Sequence, residues 1–310
     1  MRSKALALNV YSSSEAYRGG PCVLTIGNFD GVHLGHHALI QKNLRTAQAL
    51  GLESLVYTFE PHPRRVLQPD KHPPRIMSLD DKLHWLEDAG IAQVVVEQFD
   101  RAFSENPAAW FAEEIIARRL QAKSIVVGHD FRFGRGREGT AEGLRGFLPN
   151  TPVEGLEAVR LDDAIVSSSM IRECVASGDV NTAARMLGRP YFVRGTVVHG
   201  SARGRNLGFP TANLDLKSEL VPGRGVYAVR VHLGEDCHDA VANLGVRPTF
   251  GRNQFCMEVH LLDRKGNLYE QDLRVDFIER IRAERQFESA EALVAQIAAD
   301  IQQTREVLQR

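Results

Sequence analysis

Between Pro21 and Phe59 the chain reads strand, helix, strand, and that order leaves few folds open. Cys22-Val23-Leu24-Thr25-Ile26 is a short buried-strand pattern stopped by Gly27. From His36 the apolar positions Leu39, Ile40, Leu44, Ala47 and Leu50 recur at helical spacing, and Gly51 is a natural stop. Ser54-Leu55-Val56-Tyr57-Thr58-Phe59 then reads as a second strand. Such a βαβ unit requires a parallel sheet with a right-handed crossover. The alternation continues. Ser78 is placed to cap a helix over Leu79–Ala89, with Asp80 and Asp81 favourable to its dipole and Gly90 ending it. Gln93–Glu97 is a strand, Pro107–Leu120 a helix and Ser124–Gly128 a further strand. The predicted class of this half is an open α/β sheet, in which ligands sit at the carboxyl ends of strands.

Four stretches of unusual composition fall at that edge: Gly27–His37, Phe59–Arg64, Gly128–Gly134 and Val166–Arg172. Glycines in the first allow backbone to approach a phosphate, and His33 and His36, three residues apart at a helix start, add donors to the same anion. The plainer reading is a capped helix start with two solvated histidines. Zinc is a poor match, because His-x-x-His here lacks the glutamate of His-Glu-x-x-His. In the fourth stretch, Ser167, Ser168, Ser169 and Arg172 open a helix and would grip a polyphosphate; an ordinary serine cap is the alternative. Gly134–Gly139 matches G-x-G-x-x-G by letters alone. The residues His129 to Phe133 separate it from the strand and no clear apolar helix follows, so a dinucleotide site is rejected. Asp130, Phe131 and Phe133 read instead as part of a pocket wall.

Asp179 caps a short helix through Leu187, broken by Gly188-Arg189-Pro190, and the domain boundary is expected near 186, giving domains 1–186 and 187–310. A length of 310 residues fits two domains. Beyond the boundary, Tyr191–His199, Gly225–Leu233, Asp239–Leu244, Phe255–Leu262 and Leu273–Ile278 are strand-like with turns and no helices between them, which predicts an antiparallel barrel. A helix capped by Ser289 closes the chain, with Leu293, Val294, Ile297, Ile301 and Leu308 as its packing stripe. The stretch Gly200–Asn213 lacks the Gly-Lys-Ser/Thr of a Walker A loop, yet its glycines with Arg203 and Arg205 suit a phosphate-cradling flap. Thr211 and Asn213 are two apart, so on an extended segment both present oxygens to one side, as a Mg²⁺ site needs. A basic turn before a polar strand is the alternative. Glu258 lies within the apolar run Phe255–Leu261. It is either a wet-face carboxylate or a general base, a role typically contributing about 10²–10⁴-fold.

A net charge of −1 with no basic block argues against a nucleic-acid partner. The cysteines, Cys22, Cys174, Cys237 and Cys256, are scattered and form no Cys-x-x-Cys pair, so neither a thiolate metal site nor a disulfide framework is expected. Met1–Val10 lacks the apolar core of a signal peptide and no run is long enough to span a bilayer, so a cytoplasmic protein off the membrane is expected. No oligomeric state is legible.

In their order, Gly-Asn-Phe-Asp-Gly-Val-His-Leu-Gly-His, Thr-Phe-Glu-Pro-His-Pro, Gly-His-Asp-Phe-Arg-Phe-Gly and Ser-Ser-Ser-Met-Ile-Arg resemble the N-terminal module of the bacterial bifunctional riboflavin kinase/FAD synthetase family. Gly-Arg-Asn-Leu-Gly-Phe-Pro-Thr-Ala-Asn, Gly-Val-Tyr-Ala-Val, Asn-Leu-Gly-Val-Arg-Pro-Thr-Phe and Glu-Val-His-Leu-Leu-Asp resemble its kinase module. The resemblance implies a Rossmann-like nucleotidyltransferase domain followed by a riboflavin-kinase barrel with a C-terminal helix. It implies a chain that phosphorylates riboflavin with ATP to FMN, then adenylylates FMN with a second ATP to FAD and pyrophosphate. On the N-terminal side it implies ATP-phosphate contacts at Gly27, Asn28, Phe29, Asp30, His33 and His36, with Ser168 and Arg172 closing over them. Phe59, Pro61, His62, Asp130 and Phe131 would lie near flavin or metal. On the kinase side it implies phosphate binding by Gly200, Gly204, Arg205, Gly208, Pro210, Thr211 and Asn213, with Mg²⁺ at the last two and Glu258 as base toward the riboflavin hydroxyl. Adenylyl transfer to an existing phosphate needs alignment and charge neutralisation, whereas a hydroxyl must also lose a proton. Two alternatives are a chain with one live activity and a flavin-binding regulator built on the barrel. The intact His33, His36, Arg172, Asn213 and Glu258 argue against both.

Overall fold

The computed structural model describes residues 8–200, 208–249, 252–264 and 266–310. By packing it divides into two compact units, Met1–Val166 and Ser167–Arg310. The expectations at Gly204 and Arg205 lie outside the described residues.

The first unit is built on six strands: β1 (Asn9–Tyr11), β2 (Cys22–Ile26), β3 (Glu53–Glu60), β4 (Gln93–Gln98), β5 (Ala122–Gly128) and, after the small hairpin of β6 (Arg132–Phe133) and β7 (Gly139–Thr140), β8 (Val153–Leu156). They form one parallel sheet in the order β1-β4-β3-β2-β5-β8. From β2 the chain winds outward through β3 and β4 to one side, then returns to place β5 and β8 on the other. The connections from neighbouring strands β2 and β5 therefore diverge, and a crevice opens at their carboxyl ends, the position where open α/β sheets take ligands. The Gly27–His37 stretch follows β2, Gly128–Gly134 follows β5, and Phe59–Arg64 ends the adjacent β3.

Helices cover both faces. Helix α1 (Leu34–Leu50) is stopped by Gly51 at φ 64°, a left-handed C-cap; α2 (Pro63–Leu67) is a short turn; α3 (Leu79–Asp88) is capped by Ser78. Residues of α1, α3 and the turn after β2 share a core containing Phe29, Val32, Ile40, Val56, Met77, Leu86 and Val94. The opposite face buries Leu24, Ile26, Leu55, Tyr57, Phe111, Ile115, Ile125, Val127 and Phe133. Phe133 belongs to this core, packed on Phe111 at 5.6 Å, and its half-buried neighbour Phe131 stacks on it at 5.4 Å. The helix expected over 107–120 is wound differently. After α4 (Arg101–Ser104), one α turn, α5 (Ala108–Trp110), passes into a π-helix over Phe111–Arg119, with the Leu120 N–H bonded to the Ile115 carbonyl at 3.0 Å. The wider winding keeps Phe111, Ala112, Ile115 and Ile116 in one buried stripe. The same apolar spacing suits either winding, so the sequence does not separate them. The unit ends with α6 (Ala141–Phe147) and the hairpin β9 (Arg160–Leu161) and β10 (Ala164–Ile165).

The second unit opens with α7 (Ser168–Ser177) and α8 (Val180–Leu187), then closes a barrel from β11 (Tyr191–Val198), β12 (Ala212–Leu216), β13 (Gly225–Leu233), β14 (Asp236–Thr249), β15 (Arg252–Leu261) and β16 (Asp272–Arg282). The order around it is β11-β12-β15-β14-β13-β16, antiparallel throughout. Strands β14 to β16 extend beyond the apolar runs that announced them, because ladder pairing continues through polar residues at the barrel rim. Helix α8 buries Val180, Ala183, Met186 and Leu187. At the end of α7, Gly223 donates to the Val175 carbonyl at 3.1 Å and Arg280 to that of Ser177 at 3.2 Å. The last helix, α9 (Ala290–Leu308), departs from expectation. Leu293, Val294, Ile297 and Ile301 are only half-buried, and the residues it buries are Asp300, Thr304, Val307 and Leu308.

Candidate functional site

In the first unit, the turn from β2 into α1 is fixed by packing. Phe29, at φ 49°, and Val32, at φ 39°, hold left-handed conformations that β-branched and bulky residues avoid. Both side chains are fully buried against Met77 and Leu86, and that burial offsets the strain. Asp30 is 4% exposed, and its carboxylate accepts from the Ile76 N–H at 3.0 Å. The Asn28 carbonyl accepts from the Thr58 hydroxyl at 3.2 Å, and Gly27 donates to the Tyr57 carbonyl at 3.1 Å. The turn is thereby tied to β3 and to the segment leading into α3.

His33 is the N-cap of α1 and forms a capping box with His36. His33 Nδ1 accepts from the His36 N–H at 3.4 Å, and His36 Nδ1 accepts from the His33 N–H at 3.3 Å. The rings stack at 3.6 Å between centroids, with His36 also against Phe29 at 5.1 Å. This geometry assigns the tautomer: an Nδ1 that accepts carries no proton, so each neutral ring bears its N–H at Nε2. One turn thus carries two imidazoles protonated at Nε2 and the start of a 17-residue helix.

Around it, Phe59 is half-buried among Tyr57, Phe99 and Phe103, with centroids 5.2 to 6.1 Å away. His62, after Pro61, caps α2 by accepting from the Arg64 N–H at 3.2 Å. Asp130 is exposed beyond β5. Glu60 pairs with Arg75 at 3.0 Å. Lys82 of α3, which sequence reasoning passed over, is 6% exposed and donates to the Thr58 hydroxyl at 3.4 Å. Burial pushes its pKa down; Glu60 and Asp30 pull it back up and Arg75 opposes them. Ser168 and Arg172 lie in the first turns of α7, in the second unit, where Ser167 caps the helix by accepting from the Met170 N–H.

In the second unit, strand register assembles the other polar set. Ala212, Leu214, Ala242, Leu244, Met257 and Val259 alternate as interior residues of the barrel. The residues between them face outward, and Asn213 of β12 pairs directly with Glu258 of β15, which pairs in turn with Asn243 of β14. Directly opposed residues on neighbouring strands share a face, so the three form one polar row. Asn213 is 9% exposed and Glu258 half-buried. Gly200 backs onto the Asn213 carboxamide, leaving no room for a Cβ. His260, two residues beyond Glu258, donates from Nδ1 to the Pro210 carbonyl at 2.7 Å and packs edge-on to Phe209, which anchors the segment carrying Thr211. Gly208 has φ 88°, open to glycine and strained for other residues. Asn243 and His260 were given no role in the sequence; ladder register brings Asn243 to Glu258, and alternation along β15 puts His260 on the same face.

Among the described residues no cluster of three or more His, Cys, Asp or Glu side chains could hold a metal ion, and no helix is long and apolar enough to cross a membrane.

The FAD synthetase family model matches residues 17–170 and the riboflavin kinase model residues 187–308. The bifunctional riboflavin kinase/FMN adenylyltransferase of Haemophilus influenzae is 40% identical over 304 residues, covering 96% of this chain and 97% of its own. The chain belongs to the bifunctional riboflavin kinase/FMN adenylyltransferase family. The Escherichia coli K12 and Bacillus subtilis proteins of that name are 39% and 38% identical, over 95% and 91% of this chain and 95% and 90% of theirs. A crystal structure described as a macrolide-efflux protein from Streptococcus pneumoniae superposes with a TM-score of 0.88 at 31% identity, over 96% of this chain and 98% of that one. The chain therefore carries both a riboflavin kinase and an FMN adenylyltransferase domain, an α/β unit and a closed barrel in the order the sequence predicted.

Proposed function

We propose that the polar row on the barrel is the kinase site and the turn after β2 the adenylyltransferase site, with the chemistry dividing near residue 186. The observation that carries the kinase half is the register that sets Asn213 beside Glu258. Glu258 accepts the proton of the riboflavin 5′-hydroxyl as that oxygen attacks the γ-phosphorus of ATP, and ADP leaves. Its half-buried position beside two carboxamides suits a carboxylate that must be both ionised and reachable. The hydroxyl of Thr211 and the amide oxygen of Asn213 are hard oxygen donors of the kind Mg²⁺ prefers, and two protein ligands leave positions for phosphate oxygens. When bound there, Mg²⁺ supplies neutralisation of phosphate charge. Gly200, Gly208 and Pro210, with Gly204 and Arg205, are assigned to phosphate binding on the family motif.

In the N-terminal site the FMN phosphate attacks the α-phosphorus of a second ATP, and pyrophosphate leaves. No side-chain nucleophile is required. His33 and His36 donate from Nε2 to phosphate oxygens, and the first amides of α1 add to them. Gly27, Asn28, Phe29 and Asp30 shape the turn; in this reading Asp30 acts through its bond to Ile76. Phe59, Pro61, His62, Phe131 and Asp130 flank the flavin side. Ser168 and Arg172 are assigned to the same nucleotide on the family motif. We place the protein in the cytoplasm, off membranes and nucleic acid; its substrates are cytosolic and its described cysteines form no disulfide.

The test separates the halves in one chain. Flavins are resolved chromatographically over time after adding ATP and Mg²⁺ with riboflavin or with FMN. Glu258→Ala should lower FMN formation by about 10²-fold or more while FMN still becomes FAD. His36→Ala should do the reverse. A Glu258→Ala protein retaining most of its kinase rate would remove the base assignment.

A further inference from the structure

Lys82 has no part in the chemistry above, yet its setting is unusual. A buried ammonium has three protons to place, and its hydrogen bond is the long one to Thr58 Oγ1 at 3.4 Å. Burying a cation so sparsely bonded costs stability. Its position explains why a chain would keep it. Thr58 is fully buried, and its hydroxyl passes the contact on to the Asn28 carbonyl at 3.2 Å. On the other side of the same turn, Asp30 holds the Ile76 N–H, two residues before the Ser78 cap of α3. Helix α3 and its lead-in thus grip the phosphate turn at Asn28 and at Asp30, with the left-handed Phe29 between them. The charged groups facing Lys82 are Asp30 and Glu60, which favour the ammonium, and Arg75, which opposes it and is itself paired with Glu60.

We propose that Lys82 is a positioning residue for adenylyl transfer: through the Thr58 hydroxyl it fixes the Asn28 carbonyl, aiming the turn and its histidine pair at the nucleotide, and it places a positive charge beneath the triphosphate. The inference rests on the N-terminal assignment made above.

The test uses the full chain. Lys82→Met, Thr58→Val, their double variant and Thr58→Ser are assayed for FMN-to-FAD conversion against ATP concentration. Riboflavin-to-FMN conversion in the same samples serves as the internal control, and each variant is melted. Lys82→Met should raise the KM for ATP by about tenfold or more with the kinase rate unchanged. Thr58→Val should share much of that rise, the double variant should be no worse than Lys82→Met, and Thr58→Ser should behave as wild type. The melting temperature of Lys82→Met should be equal to or above wild type, since a buried charge has been removed. A lowered melting temperature with a normal KM for ATP would make Lys82 merely structural and overturn the proposal. Additive losses in the double variant would overturn the relay. If Lys82→Met fails to fold, the Thr58→Val and Thr58→Ser pair decides, and equal KM values for the two would overturn the idea. Wild-type protein that makes FMN but no FAD would remove the N-terminal assignment itself, and this inference with it.

Discussion

His33 and His36 were found in the sequence as two imidazoles near a helix start; that each caps the other was not. Histidine is an uncommon N-cap, and propensity favours Ser, Thr, Asp or Asn at that position. The structure shows the rings closing the helix through Nδ1, which leaves the proton of each neutral ring on Nε2. Gly200 is the counterpart in the proposed kinase site. The sequence offered it as a glycine of a phosphate-cradling flap; the structure adds that a Cβ there would overlap the Asn213 carboxamide. Gly200→Ala should therefore displace Asn213 and cut FMN formation by about tenfold or more, about 1.4 kcal/mol in the barrier, with FMN-to-FAD conversion untouched. Initial rates of both reactions on one preparation measure it. Lys82 and the pairing of Asn243 with Glu258 were not legible, because burial and cross-strand register are not written in the local spacing of residues; His260, at i+2 from Glu258 on one strand, could have been found by alternation.

Elements were more legible than their internal details. Strand β13 and the caps Ser78, Asp179 and Ser289 stand where hydrophobic pattern and cap chemistry put them, since both are local signals. The π-winding of 111–119 was hidden, because buried residues four apart satisfy either helix. The last helix was hidden in another way: its apolar stripe is half-exposed and its anchor is polar. Asp300, 3% exposed, accepts from Arg282 Nε at 2.9 Å, from Arg282 Nη2 at 2.8 Å and from Gln296 at 2.7 Å. Asp300→Ala would strand the guanidinium of a largely buried pair, and a loss of about 3–5 kcal/mol is expected. Urea unfolding followed by far-UV circular dichroism checks it, and a change within 1 kcal/mol would show that Val307 and Leu308 hold the helix by themselves.

For the whole molecule, the division by packing and the division by chemistry are different questions. Helices α7 and α8 belong by packing to the unit that contains the barrel. Val175, Val180, Ala183, Met186 and Leu187 are at most 2% exposed, and α8 lies against β11 and β16. A fragment of residues 167–310 should accordingly fold and phosphorylate riboflavin. A fragment of residues 187–310 loses that apolar cover and should melt on the order of 10 °C lower, or fail to fold. Melting curves of the two fragments decide, and equal values would mean that the helices add nothing to the barrel.

The polar row on the barrel also makes the proposed kinase site a matter of parity. Along β15 the interior residues Met257, Val259 and Leu261 alternate with outward Glu258 and His260. Gaining or losing a single residue upstream in that strand, with the ladder kept, would turn the carboxylate inward among Leu214, Ala242 and Leu244 and bring an apolar side chain of β15 to the outer face. A change of two would return a carboxylate to the correct side but opposite the wrong partner. The proposed base is thus specified by a count taken modulo two along one strand and by an offset across two ladders, so that its neighbours in sequence can all survive while its function does not.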